Sequence, residues 1–464
     1  MPKPAELDQY MAYLCEALGH ADRDAGLADY CRGLMLPIER KSVEPLAAHI
    51  DPYHVSAKHQ SMHHFVAKSD WSDEDLLNRV RSWVVPDMKL ENGSFWIVDD
   101  TGFPKKGKHS VGVARQYCGQ LGKQDNCQVA VSLSVASEDA SLPVAYRLYL
   151  PEAWAQDEPR RRKAGVPVDL KFATKPQISL EQIRQAKESG LPPGPVLADA
   201  AYGTDTAFRD GLTELGLPYC VGVQPGVSAW APGTTPLPPK PRQRMGRPPT
   251  LLQRGPGHKP VSVKALAQGL PEKAWRTVRW REGTNGKMSS RFAAVRVCPA
   301  HRDERRQRPR DEEWLLIEWP KDDVEPAKYW LSTLPAKTQI KDLVRTAKMR
   351  WRIERDYQEL KQEFGLGHYE GRGWRGFHHH ATLSIAAYGF LVGQRLTPGG
   401  AKKKSARSGA SVLPADYTPR GSGARAAARS RFDRDPSVFD RSQTCALVAS
   451  VSRLCAGRAT FVTQ

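Results

Sequence analysis

The chain has 464 residues, of which 69 are Lys or Arg and 51 are Asp or Glu, so its formal net charge is +18. With 40% hydrophobic residues it is neither a wholly disordered nor a fibrous chain, and its length predicts about two to four domains. The positive charge favours a polyanionic partner, nucleic acid in the first place, because each Lys or Arg that neutralises a phosphate releases a counterion.

The first segment, residues 1–88, is predicted to be helical. Its last helix begins at Ser72, where acidic residues follow in the first turn and an apolar face comes next, and Pro86 ends it. The segment also carries Arg40 and Lys41. These basic side chains could contact a nucleic acid, or they could form an ordinary solvated surface.

Residues 89–223 predict a sheet of mixed direction. Alternating or continuous apolar patterns at 95–98, 111–117, 129–135 and 144–150 indicate an antiparallel meander. Helices that begin at Ser179 and near residue 204 then alternate with strands at 195–198 and 219–223. A meander followed by alternating helices and strands is typical of an α/β fold.

The next segment, residues 224–336, predicts a β-rich insertion. It opens with a loop rich in Pro and Gly that carries Arg242, Arg244 and Arg247. Strand-like patterns resume at 277–280, 291–297 and 314–319.

Two further segments complete the chain. Residues 337–396 predict one long helix, from about residue 337 to 364, that Gly365 ends. The run from His378 to His380 is interpreted as a surface turn at the start of another helix. Residues 397–464 are basic, show little periodicity and predict a poorly ordered tail.

The residues most informative about function are acids at the ends of predicted strands. Asp99 and Asp100 follow one apolar run, and Asp199 follows another, so two strands each deliver a carboxylate to an edge of the sheet. Glu354 lies in the long helix between apolar neighbours. Hard cations such as Mg²⁺ prefer oxygen ligands, and two such ions ~4 Å apart suit phosphoryl transfer. Taken singly, each Asp could instead cap a turn, and Glu354 could pair with a helical Arg.

The spacing on the long helix favours a functional role. Arg350, Glu354 and Lys361 stand at intervals of four and seven residues, which places them along one face. Beside a carboxylate site, two cations on that face are free to hold phosphates.

Three motifs, in this order, resemble those of bacterial insertion-sequence transposases of the DDE superfamily, whose catalytic core is ribonuclease-H-like. They are residues 98–107 (VDDTGFPKKG), residues 196–203 (VLADAAYG), and residues 350–374, which open with RWRIE and end with GRGW. The resemblance covers roughly residues 25–395 and implies a ribonuclease-H-like α/β core, in two parts around the β-rich insertion.

This resemblance implies roles for individual residues. Asp99, Asp199 and Glu354 would be catalytic residues that hold two Mg²⁺ or Mn²⁺ ions, with Asp100 as the alternative first acid. Arg350 and Lys361 would contact the cleaved DNA end. The partners implied are double-stranded DNA, as terminal inverted repeats and as target, and a second copy of the chain on that DNA. Residues 1–88 would help to recognise the DNA ends.

The loop after the first acid is a further candidate for DNA contact. Lys105 and Lys106 could grip a backbone phosphate, or the basic run could simply be solvated.

Membrane and secreted locations are not expected. No apolar run approaches the ~18 residues that span a bilayer, and the first ten residues lack the apolar core of a signal peptide. The eight cysteines are dispersed and few, which predicts reduced thiols. We therefore expect a cytoplasmic protein without a membrane partner.

Two other functions are compatible with these motifs. One is a metal-dependent DNA nuclease of the same fold that cleaves but never joins. The other is a DNA-binding remnant whose acids no longer hold metal.

Overall fold

The computed structural model describes residues 4–240, 249–283 and 286–397. The basic residues Arg242, Arg244 and Arg247, and the tail after residue 397, lie outside the described residues. The N-terminal region is helical as predicted, and its helices are α1 (Pro4–Cys15), α2 (Asp24–Leu34), α3 (Val43–Ile50), α4 (Val55–Ala67) and α5 (Asp73–Val84). The side chain of Ser72 accepts a hydrogen bond from the amide of Asp75 at 3.0 Å, which confirms the predicted start of α5.

The predicted meander forms one half of the central sheet. Its strands are β1 (Phe95–Pro104), β2 (Ala114–Cys118), β3 (Lys123–Ala136) and β4 (Ser141–Leu148). The long strand β3 pairs antiparallel with β1 along one edge, and with β2 and β4 along the other. Strand β1 is therefore free to pair with another strand on its second edge.

That second edge of β1 receives the α/β part of the chain. Its elements are α6 (Glu152–Ala155), α7 (Glu158–Ala164), α8 (Lys175–Glu188), β5 (Val196–Ala198), α9 (Ala200–Gly203), α10 (Thr206–Glu214) and β6 (Tyr219–Val223). Strand β5 runs parallel to β1, and β6 runs parallel to β5. Helix α8 begins one turn earlier than predicted, because Thr174 and Gln177 form the capping box there.

The β-rich segment continues the same sheet. It contains β7 (Ser228–Trp230), β8 (Val261–Ser262), α11 (Val263–Gln268), β9 (Arg276–Gly283), β10 (Gly286–Pro299), β11 (Glu313–Glu318) and β12 (Lys328–Ser332). Strand β12 pairs antiparallel with β6. Within the described residues the sheet has 12 strands: their order is β2-β3-β1-β5-β6-β12-β11-β10-β7-β8, with β4 beside β3 and β9 beside β10. The antiparallel β1, β3 and β4 and the parallel β5 and β6 form a ribonuclease-H-like mixed α/β core, which confirms the predicted fold class.

The prediction of one long helix between residues 337 and 364 is wrong. The segment forms two helices, α12 (Ile340–Lys348) and α13 (Trp351–Gln362), that meet at Met349 and Arg350. Around this junction the amides of Arg352 and Ile353 donate hydrogen bonds to the carbonyls of Met349 and Arg350, respectively. Each acceptor is three residues earlier in the chain, and not four as in a regular α-helix. The break allows α12 to pack on β6, β9 and β10, while α13 packs on β1 and β4.

The last helix, α14 (Trp374–Leu396), is buried against the N-terminal helices and β4. The interpretation of His378, His379 and His380 as a surface turn is wrong, because all three side chains are buried in this helix. His380 has a polar partner on each ring nitrogen: the hydroxyl of Tyr30 lies 2.9 Å from Nδ1, and the carbonyl of Gly365 lies 2.9 Å from Nε2. A neutral imidazole satisfies both contacts.

The buried His380 predicts a loss of stability in acid. Burial lowers the pKa of His380 from 6.5 to about 4, so between these values the unfolded chain binds a proton that the folded protein does not. The free energy of unfolding should therefore fall as the pH drops from 6.5 to 4, by up to ~1.4 kcal/mol per pH unit from this residue. Urea unfolding of wild type and of His380→Gln, which cannot titrate, should show a shallower dependence in the variant. Equal dependences would contradict the prediction.

The sequence predicts no membrane-spanning helix. None of the helices within the described ranges is long and apolar enough to cross a bilayer.

Candidate active site

The first two acids are brought side by side by strand pairing. Trp96 and Ile97 on β1 pair in parallel register with Val196 and Leu197 on β5. Asp99 and Asp199 each lie three residues beyond the first of these pairs, so they lie at the same level of the sheet. The sequence predicted a carboxylate at the end of each strand, and the register places the two on adjacent strands.

Asp199 is held by the turn that it begins. Its Oδ1 accepts hydrogen bonds from the amides of Ala201, at 2.9 Å, and Tyr202, at 3.4 Å, and so caps the short helix α9. The helix lies directly on β6: a Cβ added to Gly203 would be 2.1 Å from the carbonyl oxygen of Gly222. Only glycine permits this approach, which fixes the position of Asp199.

Arg350 connects the first acid to the third. Its Nη1 donates to Oδ2 of Asp99 at 2.8 Å, and its Nη2 donates to Oε1 of Glu354 at 2.6 Å. The bend between α12 and α13 is what directs Arg350, the first residue before α13, towards β1. Glu354 thus pairs with an Arg and Asp199 caps a helix, which are the ordinary structural roles considered above. Both occur within one group of acids, Asp99, Asp199 and Glu354, which we call the acid cluster.

Asp100 faces away from this cluster. Its Oδ2 accepts a hydrogen bond from Nζ of Lys175 on α8 at 3.0 Å, and lies 3.4 Å from the hydroxyl of Tyr202. Neighbouring residues of a strand point to opposite faces of the sheet, which explains the separation of Asp99 from Asp100. Lys175 could not be predicted as a neighbour of the acids, because its partner Asp100 is 75 residues away in the sequence.

Burial among these groups raises the pKa of Asp99 to about 7. Burial is the main cause, and the negative charges of Asp199, Asp100 and Glu354 raise it further, while the Arg350 guanidinium opposes them. Burial lowers the pKa of Arg350, but Asp99, Glu354 and Asp199 outweigh that effect and hold this pKa above its ordinary value, so the guanidinium stays charged. A site that disfavours its own negative charge is one that a cation stabilises.

Tyr357 supports the first acid from α13. Its buried hydroxyl lies 2.6 Å from the hydroxyl of Ser132, the residue opposite Asp99 on β3, and 3.4 Å from the backbone oxygen of Asp99. Tyr357 is one turn beyond Glu354. Its spacing could have marked it as a residue on the same side of the helix as Glu354.

The predicted DNA-contact lysines lie along the second half of β1. Nζ of Lys361 donates to the carbonyl of Gly102 at 2.7 Å, and burial lowers the pKa of Lys361 to about 8. Nζ of Lys105 donates to the carbonyl of Tyr369 at 2.8 Å, whereas Lys106 is exposed. Lys361 and Lys105 are thus partly engaged by the protein itself.

Within the described ranges, no three His, Cys, Asp or Glu side chains are close enough together to hold a metal ion. The donor set itself is chemically suited to a hard divalent cation, since Asp99, Asp199 and Glu354 offer carboxylate oxygens. Arg350, a cation, already neutralises two of the three.

The ribonuclease-H-like sheet thus brings Asp99, on β1, beside Asp199, which directly follows the adjacent strand β5. Residues 13–287 match the family model of the DDE superfamily endonucleases, and the chain belongs to this family. That family generally uses divalent metal ions. The match includes Asp99, Asp100 and Asp199, whereas Glu354 lies beyond it.

The chain is also similar to a curated transposase. Over 166 residues, or 36% of this chain, the sequence is 33% identical to the "Probable transposase for insertion sequence element IS701" of Microchaete diplosiphon. The aligned part spans 40% of that protein. The family inferred from the three motifs is thereby confirmed.

Proposed function

We propose that this protein is a DNA transposase that cuts the ends of an insertion sequence and joins the freed 3′ hydroxyl to target DNA. The observation that carries the proposal is the cluster in which Arg350 bridges Asp99 and Glu354 beside the strand that bears Asp199. The family of the chain and its transposase relative support the same role.

In this proposal Asp99, Asp199 and Glu354 hold two Mg²⁺ or Mn²⁺ ions. When bound, such a pair activates the attacking oxygen and stabilises the leaving oxygen of an in-line phosphoryl transfer. The chain's own contribution is to fix the acids on β1, α9 and α13, and to keep their mutual repulsion balanced by Arg350 until DNA and metal are bound.

The basic residues near the acids would position the DNA. Arg350, directly before α13, and Lys361, on α13, lie beside β1 and would contact the cleaved end. Lys105 and Lys106 would contact backbone phosphates further along. The helical region of residues 1–88 would help to recognise the terminal repeats. Because both ends of an element must be held together, we propose a homodimer on the DNA.

The proposal predicts that two substitutions abolish the chemistry without abolishing DNA binding. On DNA that carries the element's ends, with Mg²⁺, Asp199→Ala and Glu354→Ala should each lower the rate of end cleavage by about 10³-fold or more. A metal ion supplies several kcal/mol of transition-state stabilisation, and each 1.36 kcal/mol is tenfold in rate. The measurement is the rate at which labelled DNA is nicked and joined.

Asp205→Ala is the matched control. Asp205 caps α10 by accepting from the amides of Ala207 and Phe208, as Asp199 caps α9, so this variant loses a cap without losing a proposed ligand. It should cost about 1 kcal/mol of stability and leave cleavage nearly unchanged. Cleavage by wild type without joining would instead indicate a nuclease. Binding without any metal-dependent cleavage would indicate a DNA-binding remnant.

A further inference from the structure

A basic cleft of about 390 Å³ lies beside the loop that follows β1, and none of the candidate catalytic acids lines it. It is formed by three separate segments: the loop after β1, the pair of helices α6 and α7, and the chain just before α14. The side chains that give it its character are His109, Trp154, Arg160, Lys163 and Arg372.

The walls of the cleft are fixed by internal contacts. The buried Trp154 donates its indole N–H to the carbonyl of Val113 at 2.8 Å. The guanidinium of Arg160 lies 3.6 Å from the centre of the Trp154 ring and donates to the carbonyl of Lys108 at 2.7 Å. The amide of Val111 bonds the carbonyl of Arg372 at 3.0 Å, which ties the loop to the third segment. The basic side chains therefore project from a pre-formed frame.

The charge of the cleft is not balanced from within. Considering the residues that the structure describes, the exposed side chains of Lys163 and Arg372 have neither an ion-pair nor a hydrogen-bond partner, and no acidic side chain lines the cleft. The nearby acids on α7 are already engaged: Asp157 caps the helix at the amide of Arg160, and Glu158 pairs with Arg162 at 2.6 Å. Three permanent positive charges around one cavity favour an anion.

The position of the cleft relates it to the acids. Asp99 lies five residues before Pro104, where β1 ends, and at ~3.3 Å per residue this is about 16 Å. Lys105 and Lys106 follow immediately and lead into the loop of the cleft. Successive phosphates along one DNA strand are ~3.4 Å apart along the helix axis, so a strand that follows β1 from Asp99 to Pro104 would span about five nucleotides.

We propose that this cleft holds a backbone phosphate of the DNA whose scissile bond lies at Asp99, Asp199 and Glu354. This inference rests on the proposed function, which places the cleaved bond of the DNA at the three acids. Arg372 and Lys163 supply the contacts that reach the phosphate, and Arg160, stacked on Trp154, supplies a fixed positive field. The contact reads no base, and it adds affinity for any duplex.

The test measures how DNA affinity depends on salt. A labelled 30-base-pair duplex of arbitrary sequence is titrated with the full chain by fluorescence anisotropy, without divalent cations, at several salt concentrations. Each neutralised phosphate contributes ~0.9 to the slope of log affinity against log salt. Lys163→Ala and Arg372→Ala should each lower the slope, and the double variant should lower it by about 0.9, the contribution of one phosphate. Arg162→Ala, on the same helix but paired with Glu158, should leave it unchanged.

Two outcomes would overturn the assignment. One is a double variant that unfolds at the wild-type temperature and has the wild-type slope. The other is a slope for Arg162→Ala that falls as far as the slope for Lys163→Ala, since the loss would then follow from net charge and not from the cleft. The titration measures DNA binding alone, so it is independent of the cleavage assay. If the double variant had a smaller salt dependence but wild type never cleaved DNA, the transposase proposal would be refuted and the phosphate site would be retained.

Discussion

Asp99→Asn is expected to lower the rate of Mg²⁺-dependent DNA cleavage by about 10³-fold or more, whereas Asp100→Asn should lower it by less than about tenfold. The two residues are adjacent, but only Asp99 shares Arg350 with Glu354. Asp100 is paired with Lys175, and partly exposed ion pairs of this kind contribute only about 1 kcal/mol. The rates would be measured on labelled DNA carrying the element's ends.

This pair of variants serves as its own control. Asn has the shape of Asp and removes the same charge at each position, so a difference in rate reports the side of the strand on which the carboxylate lies. Thermal unfolding of both variants checks that the fold survives. A larger loss of cleavage in Asp100→Asn would place the first metal ligand at Asp100. An equal loss in both variants would contradict the prediction by showing that cleavage needs both carboxylates.

Arg350→Gln is expected to bind divalent cations at least about tenfold more tightly than wild type, although it cleaves DNA more slowly. Two unit charges 4 Å apart interact by about 4 kcal/mol at an effective dielectric of 20, so the guanidinium competes with a metal for Asp99 and Glu354. Its removal raises the negative charge at the site. The measurement is calorimetric titration of the protein with Mn²⁺ in the absence of DNA.

Arg355→Gln is the matched control for Arg350→Gln. Arg355 lies on α13, five residues after Arg350, but it pairs with Glu359 at 3.0 Å and not with the candidate ligands, so its loss should not change the affinity for Mn²⁺. An affinity that is unchanged or weaker in Arg350→Gln would show that Arg350 does not compete with the metal. The proposal that Arg350 offsets the negative charge of the acids until a metal ion binds would then be wrong, whatever the rate of cleavage.

Much of the fold could be predicted because its signals are local. Alternating apolar residues identify β3, continuous apolar runs identify β1 and β5, and Ser72 with its acidic first turn marks the start of α5. The order of these elements gives an α/β sheet of mixed direction. Each of these patterns lies within about 15 residues, which is the range over which periodicity is informative.

Other features could not be predicted because they depend on contacts between distant segments. The break between α12 and α13 follows from packing on different strands, and the helical pattern itself runs through it. The histidines of α14 looked solvent-exposed because they are polar. They are buried because Tyr30 and several backbone carbonyls, up to 350 residues away, satisfy their ring nitrogens.

By itself the sequence determined the family, the order of the secondary structure and the identity of the candidate acids, because strand ends and short motifs are written in neighbouring residues. Only the tertiary structure decided which acid of the Asp99 and Asp100 pair faces Arg350, and that a basic cleft forms from three separate segments. The physical reason is that strand register and helix packing set side-chain direction. Both are determined by the whole core, and not by local sequence.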